Sequence, residues 1–162
     1  MSPAAAMGAV TPGKAVPEFK LESTGSDEGF SLKAARGTAL VLYFYPRDNT
    51  PGCTLENLEF QQLLPKFRRA GVRVLGISRD TLGSHQRFCT RQNLSIELLA
   101  DPEEQVCKLF DVMRDKNMYG KKVRGIERST FLIDASGVLR QQWRKVKPEG
   151  HAAEVLEAVK AL

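Results

Sequence analysis

Apolar and polar positions fall along this chain in two rhythms. Ala39 to Tyr45 is a continuous apolar run, the pattern of a strand covered on both faces rather than half-exposed. Val72 to Ser78 reads as a second internal strand, and Ile96 to Leu99 as a short third one. Ser129 to Asp134 and Val138 to Trp143 flank Ala135-Ser136-Gly137, which predicts a hairpin. The intervening segments follow a helical period instead. Leu55, Leu58, Leu63, Leu64 and Phe67 predict a helix over Thr54 to Ala70, with Pro65 kinking or ending it and Gly71 as a stop. A second helix is expected over Ser84 to Gln92, with Phe88 on its apolar face and Asn93 near its end. Asp101 is placed as an N-cap, followed by Pro102 at the first helical position and Glu104 three residues after the cap. That opens a helix to about Phe110. A terminal helix after Gly150 carries Val155, Leu156, Val159 and Leu162.

Near the N-terminus, Val16 to Glu22 reads as a short edge strand and Phe30 to Leu32 as its return. Arg114 to Gly125 is polar and reads as a mobile loop. The order is a small hairpin, then strand and helix in alternation, then a hairpin and a helix. That order implies an α/β fold, with a mixed, largely parallel central sheet. A thioredoxin-like three-layer sandwich, with helices on both faces and an N-terminal β-hairpin, is the natural candidate. Residues 1–12 are expected to be a flexible tail and 13–162 a single domain, since 162 residues suit one domain.

Composition narrows the function classes. No apolar run reaches the roughly 18 residues of a membrane span, and the Ala-rich start lacks the basic region of a secretory signal. The net charge of +5 is spread along the chain. Its densest part, with Arg114, Lys116, Lys121, Lys122 and Arg124, reads as a solvated loop rather than a nucleic-acid site. The three cysteines, Cys53, Cys89 and Cys107, form no CxxC pair and no secreted disulfide framework. The only histidines, His85 and His151, do not cluster with cysteines at zinc spacing and read as structural or exposed. No metal is expected.

The chemistry concentrates in Pro46 to Cys53, where a buried strand runs through a tight Pro/Gly loop into the start of a helix. The first turn of a helix offers unpaired amides and the positive end of the peptide dipoles, which suit an anionic sulfur. Cys53 is therefore the candidate nucleophile. Pro46-x-x-x-Thr50-x-x-Cys53 resembles the PxxxTxxC active-site motif of the peroxiredoxins, and the surrounding residues resemble their Q-type (bacterioferritin-comigratory-protein-like) subgroup. Arg128-Ser129-Thr130-Phe131-Leu132-Ile133-Asp134 is similar to the arginine-bearing strand of the same family.

The resemblance implies a thiol peroxidase without metal, haem or flavin, acting in antioxidant defence on hydrogen peroxide and organic hydroperoxides. Cys53 is the peroxidatic cysteine, and Thr50, Pro46, Gly52 and Arg128 form the substrate pocket. Fixed donors around both peroxide oxygens lower the barrier as charge moves to the leaving oxygen, and Arg128 adds a permanent positive charge. Glu56 is either a first-turn acid or the residue that orients Arg128. Some Q-type members carry the resolving cysteine five residues after the peroxidatic one, but Leu58 holds that position here. Others carry it in the following helix. Cys89, 36 residues downstream (89 − 53), fits that version, with Cys107 as a rival. The expected disulfide is Cys53–Cys89, formed as the first turn after Cys53 and part of the helix around Cys89 unravel. Recycling by thioredoxin, a monomeric state and a cytoplasmic location complete the expectation. A thioredoxin-like disulfide oxidoreductase and a redox-inert binding module are the alternative readings.

Overall fold

The computed structural model describes residues 10–162. Seven strands form one sheet in the order β2-β1-β5-β4-β3-β8-β9. Their ranges are β1 Lys20–Ser23, β2 Ser26–Ser31, β3 Ala39–Phe44, β4 Val72–Ser78, β5 Glu97–Ala100, β8 Ser129–Ile133 and β9 Leu139–Trp143. The centre, β3-β4-β5, is parallel, while β8, β9 and the N-terminal hairpin β1–β2 join antiparallel. The sheet is mixed, as the order of strands and helices implies, but it is not largely parallel: the β3–β4 and β4–β5 pairings are parallel, and the other four are antiparallel. The first strand starts later than expected, at Lys20, and is paired on both sides by β2 and β5; the edge is its return β2, which starts earlier than expected, at Ser26.

Alternation along the central strands divides the core in two. Leu40, Leu42 and Phe44 of β3 enter one cluster with Leu75, Ile77, Phe131 and Ile133, while Val41 and Tyr43 enter the other with Val74, Leu98 and Leu132. The second face carries three helices, α1 Pro51–Arg69, α2 Leu82–Gln92 and α4 His151–Lys160. The first face carries the short α3, Gln105–Leu109, with Val16, Phe19, Phe30 and Val112. Val10, within the span expected to be a tail, packs against this first cluster; the tail's first nine positions, residues 1–9, lie outside the described residues.

Helix α1 is rotated from its expected phase. It buries Cys53, Glu56, Asn57, Phe60, Leu64 and Phe67, and leaves Leu55 and Leu58 exposed. Two polar residues displace two leucines from the inner face because each has a polar partner within the fold, Arg128 for Glu56 and Tyr43 for Asn57. Tyr43 on β3 donates its hydroxyl to Asn57 Oδ1 at 2.6 Å, and Asn57 Nδ2 donates to the Cys53 carbonyl at 2.8 Å. The Tyr43 ring stacks on Phe60 with centroids 4.3 Å apart. Room for it comes from Gly76, where a Cβ would lie 2.7 Å from the Tyr43 Cζ and hydroxyl. The helix continues through Pro65 to Arg69 instead of ending there.

Two other expectations are corrected. The Arg114–Gly125 segment is a hairpin, β6 Met113–Met118 with β7 Lys121–Ile126, turned by Tyr119 and Gly120, both at positive φ. Those signs suit a type I′ turn. Its faces are mostly solvated, so no burial alternation marked it in the sequence. Helix α3 starts at Gln105 with left-handed Glu104 as its N-cap. Asp101 still serves it, accepting from Val106 N at 3.0 Å and Cys107 N at 2.7 Å. Among the described residues no helix is long and apolar enough to cross a membrane.

Tyr43→Phe removes the donor to Asn57 and leaves a buried amide oxygen unpaired. Urea unfolding is expected to show a loss of about 1–3 kcal/mol, the desolvation penalty of an orphaned polar group.

Candidate active site

Cys53 is the third residue of α1 and is 1% exposed. The helix starts there because Thr50 is extended (φ −89°, ψ 151°) and Pro51 takes the first helical position, where its missing N–H costs nothing. Thr50 O accepts from Thr54 N at 2.8 Å. The Thr50 hydroxyl donates to the Arg47 carbonyl at 2.9 Å, so its oxygen lone pairs remain open to a donor. The amides of Gly52 and Cys53 lie in the first turn, where no intrahelical acceptor exists.

Strand register brings Arg128 to this sulfur. Phe44 pairs with Ser129 across β3 and β8, so the loop leaving β3 at Tyr45-Pro46 lies beside Arg128. Arg128 Nη2 donates to Cys53 Sγ at 3.6 Å, and Nη1 donates to Glu56 Oε1 at 2.7 Å. One guanidinium thus holds the nucleophile and a carboxylate a turn further along the same helix. A Cβ on Gly52 would lie 3.2 Å from Nη2, so a side chain there would crowd the fork and push it slightly from its present position. Pro46 and Arg128 line one open cleft of about 620 Å³, together with Lys116, Lys145 and Val146.

Glu56 is fully buried, and its second oxygen, Oε2, has no partner. Burial pushes its carboxyl up to about 7, against the pull of Arg128. Glu56 is the sixth residue of α1, so it is not the first-turn acid allowed by sequence; its Oε1 accepts from Arg128, the contact that an orienting residue would make.

The other cysteines lie apart from this cluster. Cys89, half-buried on α2, packs against the same apolar cluster as Cys53. Burial, then the nearby Asp48 carboxylate, push its thiol up to about 11. Cys107 is buried in the cluster on the opposite face of the sheet. Burial, reinforced by Asp101, raises its thiol strongly. Both histidines are buried and hydrogen-bonded: His151 to Thr130 and Glu154, His85 to Asp48 and the Leu99 carbonyl. Sequence reasoning missed Tyr43, Asn57 and Asp48. Only the polar interruption of the α1 period, at Glu56-Asn57, pointed to any of them.

The model of the AhpC/TSA family matches residues 12–142. The chain belongs to the AhpC/TSA family. Peroxiredoxin Bcp of Xanthomonas campestris pv. campestris is 54% identical over 131 residues, 81% of this chain and 82% of its own. A structure of the X. campestris bacterioferritin comigratory protein, from work on its alkyl peroxide reduction activity, superposes with a TM-score of 0.87 at 47% identity. It covers 94% of this chain and 96% of that one. Two structures of X. campestris peroxiredoxin Q are single cysteine-to-serine variants at positions 36 residues apart, the separation of Cys53 and Cys89 (89 − 53). Each has 50% identity and a TM-score of 0.83, over 88% of this chain and 90% of its own. The present chain is a peroxiredoxin of this Bcp and Q type, with the thioredoxin-like fold and the thiol peroxidase activity of that group.

The raised Glu56 carboxyl sets a sign for stability against pH. The folded peroxiredoxin holds this proton more tightly than the unfolded chain, whose value is near 4.5. The resulting stabilisation is full below about 4.5 and lost as pH rises through about 7. Denaturant unfolding from pH 5 to 8 is expected to show this decline, at most about 3 kcal/mol. The decline should be absent in Glu56→Gln.

Proposed function

We propose that Cys53 is the peroxidatic residue, with Arg128, Thr50, Gly52 and Pro46 around the peroxide and Glu56 fixing Arg128. The observation that carries this reading is the 3.6 Å contact of Arg128 Nη2 with Cys53 Sγ while Nη1 is tethered to Glu56. The Cys53 thiolate attacks one oxygen of a hydroperoxide. A sulfur–oxygen bond forms as the O–O bond breaks, and the leaving oxygen takes the electron pair and a proton to become water or alcohol. Cys53 is left as a sulfenic acid. The guanidinium fork and the first-turn amides meet the charge that develops on the oxygens, and the open lone pairs of Thr50 accept from the peroxide hydroxyl.

Cys89 then resolves the sulfenic acid. Its sulfur bonds to Cys53 sulfur and water leaves. Support comes from the placement of Cys89 against the same apolar cluster as Cys53, whereas Cys107 packs behind the sheet. The matching cysteine separation in the X. campestris variants points the same way. Thioredoxin, or a dithiol protein like it, returns both sulfurs to thiols. A monomer suffices, because one chain carries both cysteines, and the thiol-reducing cytoplasm supplies the reductant. Hydrogen peroxide and organic hydroperoxides are the substrates.

Peroxide consumption coupled to thioredoxin, with peptide mass mapping of the oxidised protein, tests the assignment. Cys53→Ser is expected to abolish turnover. Cys89→Ser should keep one stoichiometric oxidation but lose thioredoxin-supported cycling, and Cys107→Ser should keep both. A disulfide containing Cys107 would overturn the resolving role of Cys89.

A further inference from the structure

The loop that carries the peroxidatic motif is tied to the helix that carries Cys89 by a buried polar cluster. Asp48, 5% exposed, lies in that loop. Its Oδ1 accepts from the Tyr45 hydroxyl at 2.7 Å, and its Oδ2 accepts from the Ser84 hydroxyl at 2.8 Å and from His85 Nδ1 at 2.8 Å. His85 is fully buried, and its Nε2 lies 2.9 Å from the Leu99 carbonyl oxygen. A carbonyl only accepts, so Nε2 carries a proton. Nδ1 faces the carboxylate. The two contacts together put both ring nitrogens of a buried imidazole in hydrogen bonds, one of them to the Asp48 carboxyl group.

Little else holds α2 in place. His85 and Phe88 are its only buried residues, against six on α1. Cys89 stands one helical turn after His85, on the same side of the helix. Asp48 also contributes to holding the Cys89 thiol un-ionised.

Building on the proposed Cys53–Cys89 chemistry, we propose that the Asp48–His85 pair is the latch that sets the rate of resolution, with His85 as a positioning residue. Closed, it keeps the Cys53 loop assembled, α2 docked and Cys89 protonated. When the loop rearranges around the Cys53 sulfenic acid, Asp48 withdraws. His85 Nδ1 is left buried without its partner, α2 is held mainly by Phe88, and Cys89 reaches the sulfur as a better nucleophile. The step balances without an added oxidant: S–OH and H–S give S–S and water.

Stopped-flow oxidation of wild type, Asp48→Asn, His85→Gln and the double variant tests this. The peroxide-dependent phase reads Cys53 oxidation, and the peroxide-independent phase reads disulfide formation. Each single variant is expected to accelerate the second phase about ten-fold, and the double variant no more than either alone, because one latch cannot be broken twice. Sulfinic acid yield under excess peroxide should fall in step. An unchanged or slower second phase, or additive effects in the double variant, would overturn the latch. Hydrogen exchange on the wild type provides a reading that needs no variant: on oxidation, residues 46–50 and 82–92 should lose protection together, and an α2 that stays protected in the disulfide form would also overturn it. These failures are separable from failure of the underlying reading, which shows itself as wild-type protein containing no Cys53–Cys89 disulfide.

Discussion

A single guanidinium, held between a carboxylate and a sulfur, is the constraint around which this molecule is arranged. Arg128 can reach Cys53 only because β8 runs antiparallel to β3 in the register that sets Ser129 beside Phe44. It can stay there only because Glu56 turns inward, one turn along α1 from the sulfur. A buried carboxylate with one unpartnered oxygen is costly, and its raised carboxyl reports that cost. Gly52 completes the arrangement by leaving space for the fork. None of these features improves packing. On the proposed reading, they fix charge at the place where a breaking O–O bond needs it.

Rigidity at the sulfur and freedom further along the chain are supplied by different buried polar contacts. Tyr43 and Asn57 bind the Cys53 carbonyl to the centre of the sheet, through the ring that stacks on Phe60. On the other side of the loop, α2 rests on two buried side chains, Phe88 and the His85 that is hydrogen-bonded to Asp48. A helix so thinly held belongs to the low-stability end of a fold, where local opening is least expensive. The half-buried Cys89, with its thiol pushed up to about 11, is a poor nucleophile while α2 is docked. On the proposed latch, opening of α2 and activation of the Cys89 thiol are one event.

Much of this was legible in the order of residues. The continuous apolar run into Pro46, and the Pro-Gly-Cys entry to a helix, located the site, because buried parallel strands and helix starts have strong local signatures. Arg128 was legible only through family resemblance, since a register between distant strands leaves no local mark. The phase of α1 was misread at Leu55 and Leu58. Hydrophobicity placed them inside, but Glu56 and Asn57 have polar partners, Arg128 and Tyr43, that the helix period cannot reveal. The β6–β7 hairpin was missed because neither of its faces is buried along most of its length. His85 looked structural and is indeed buried, but its link to Asp48 spans 37 residues and no spacing rule anticipates it.

Arg128→Lys separates the two services the guanidinium can render, because lysine keeps the positive charge and loses the fork. The decisive comparison is the rate of Cys53 oxidation by hydrogen peroxide against the rate of its alkylation by iodoacetamide, which needs the anionic sulfur but no donors around oxygen. Peroxide oxidation is expected to fall about a hundred-fold or more, the usual cost of losing one preorganised donor, while alkylation falls far less. Equal losses in the two reactions, or undiminished oxidation, would contradict the role of the Arg128 fork at the O–O bond.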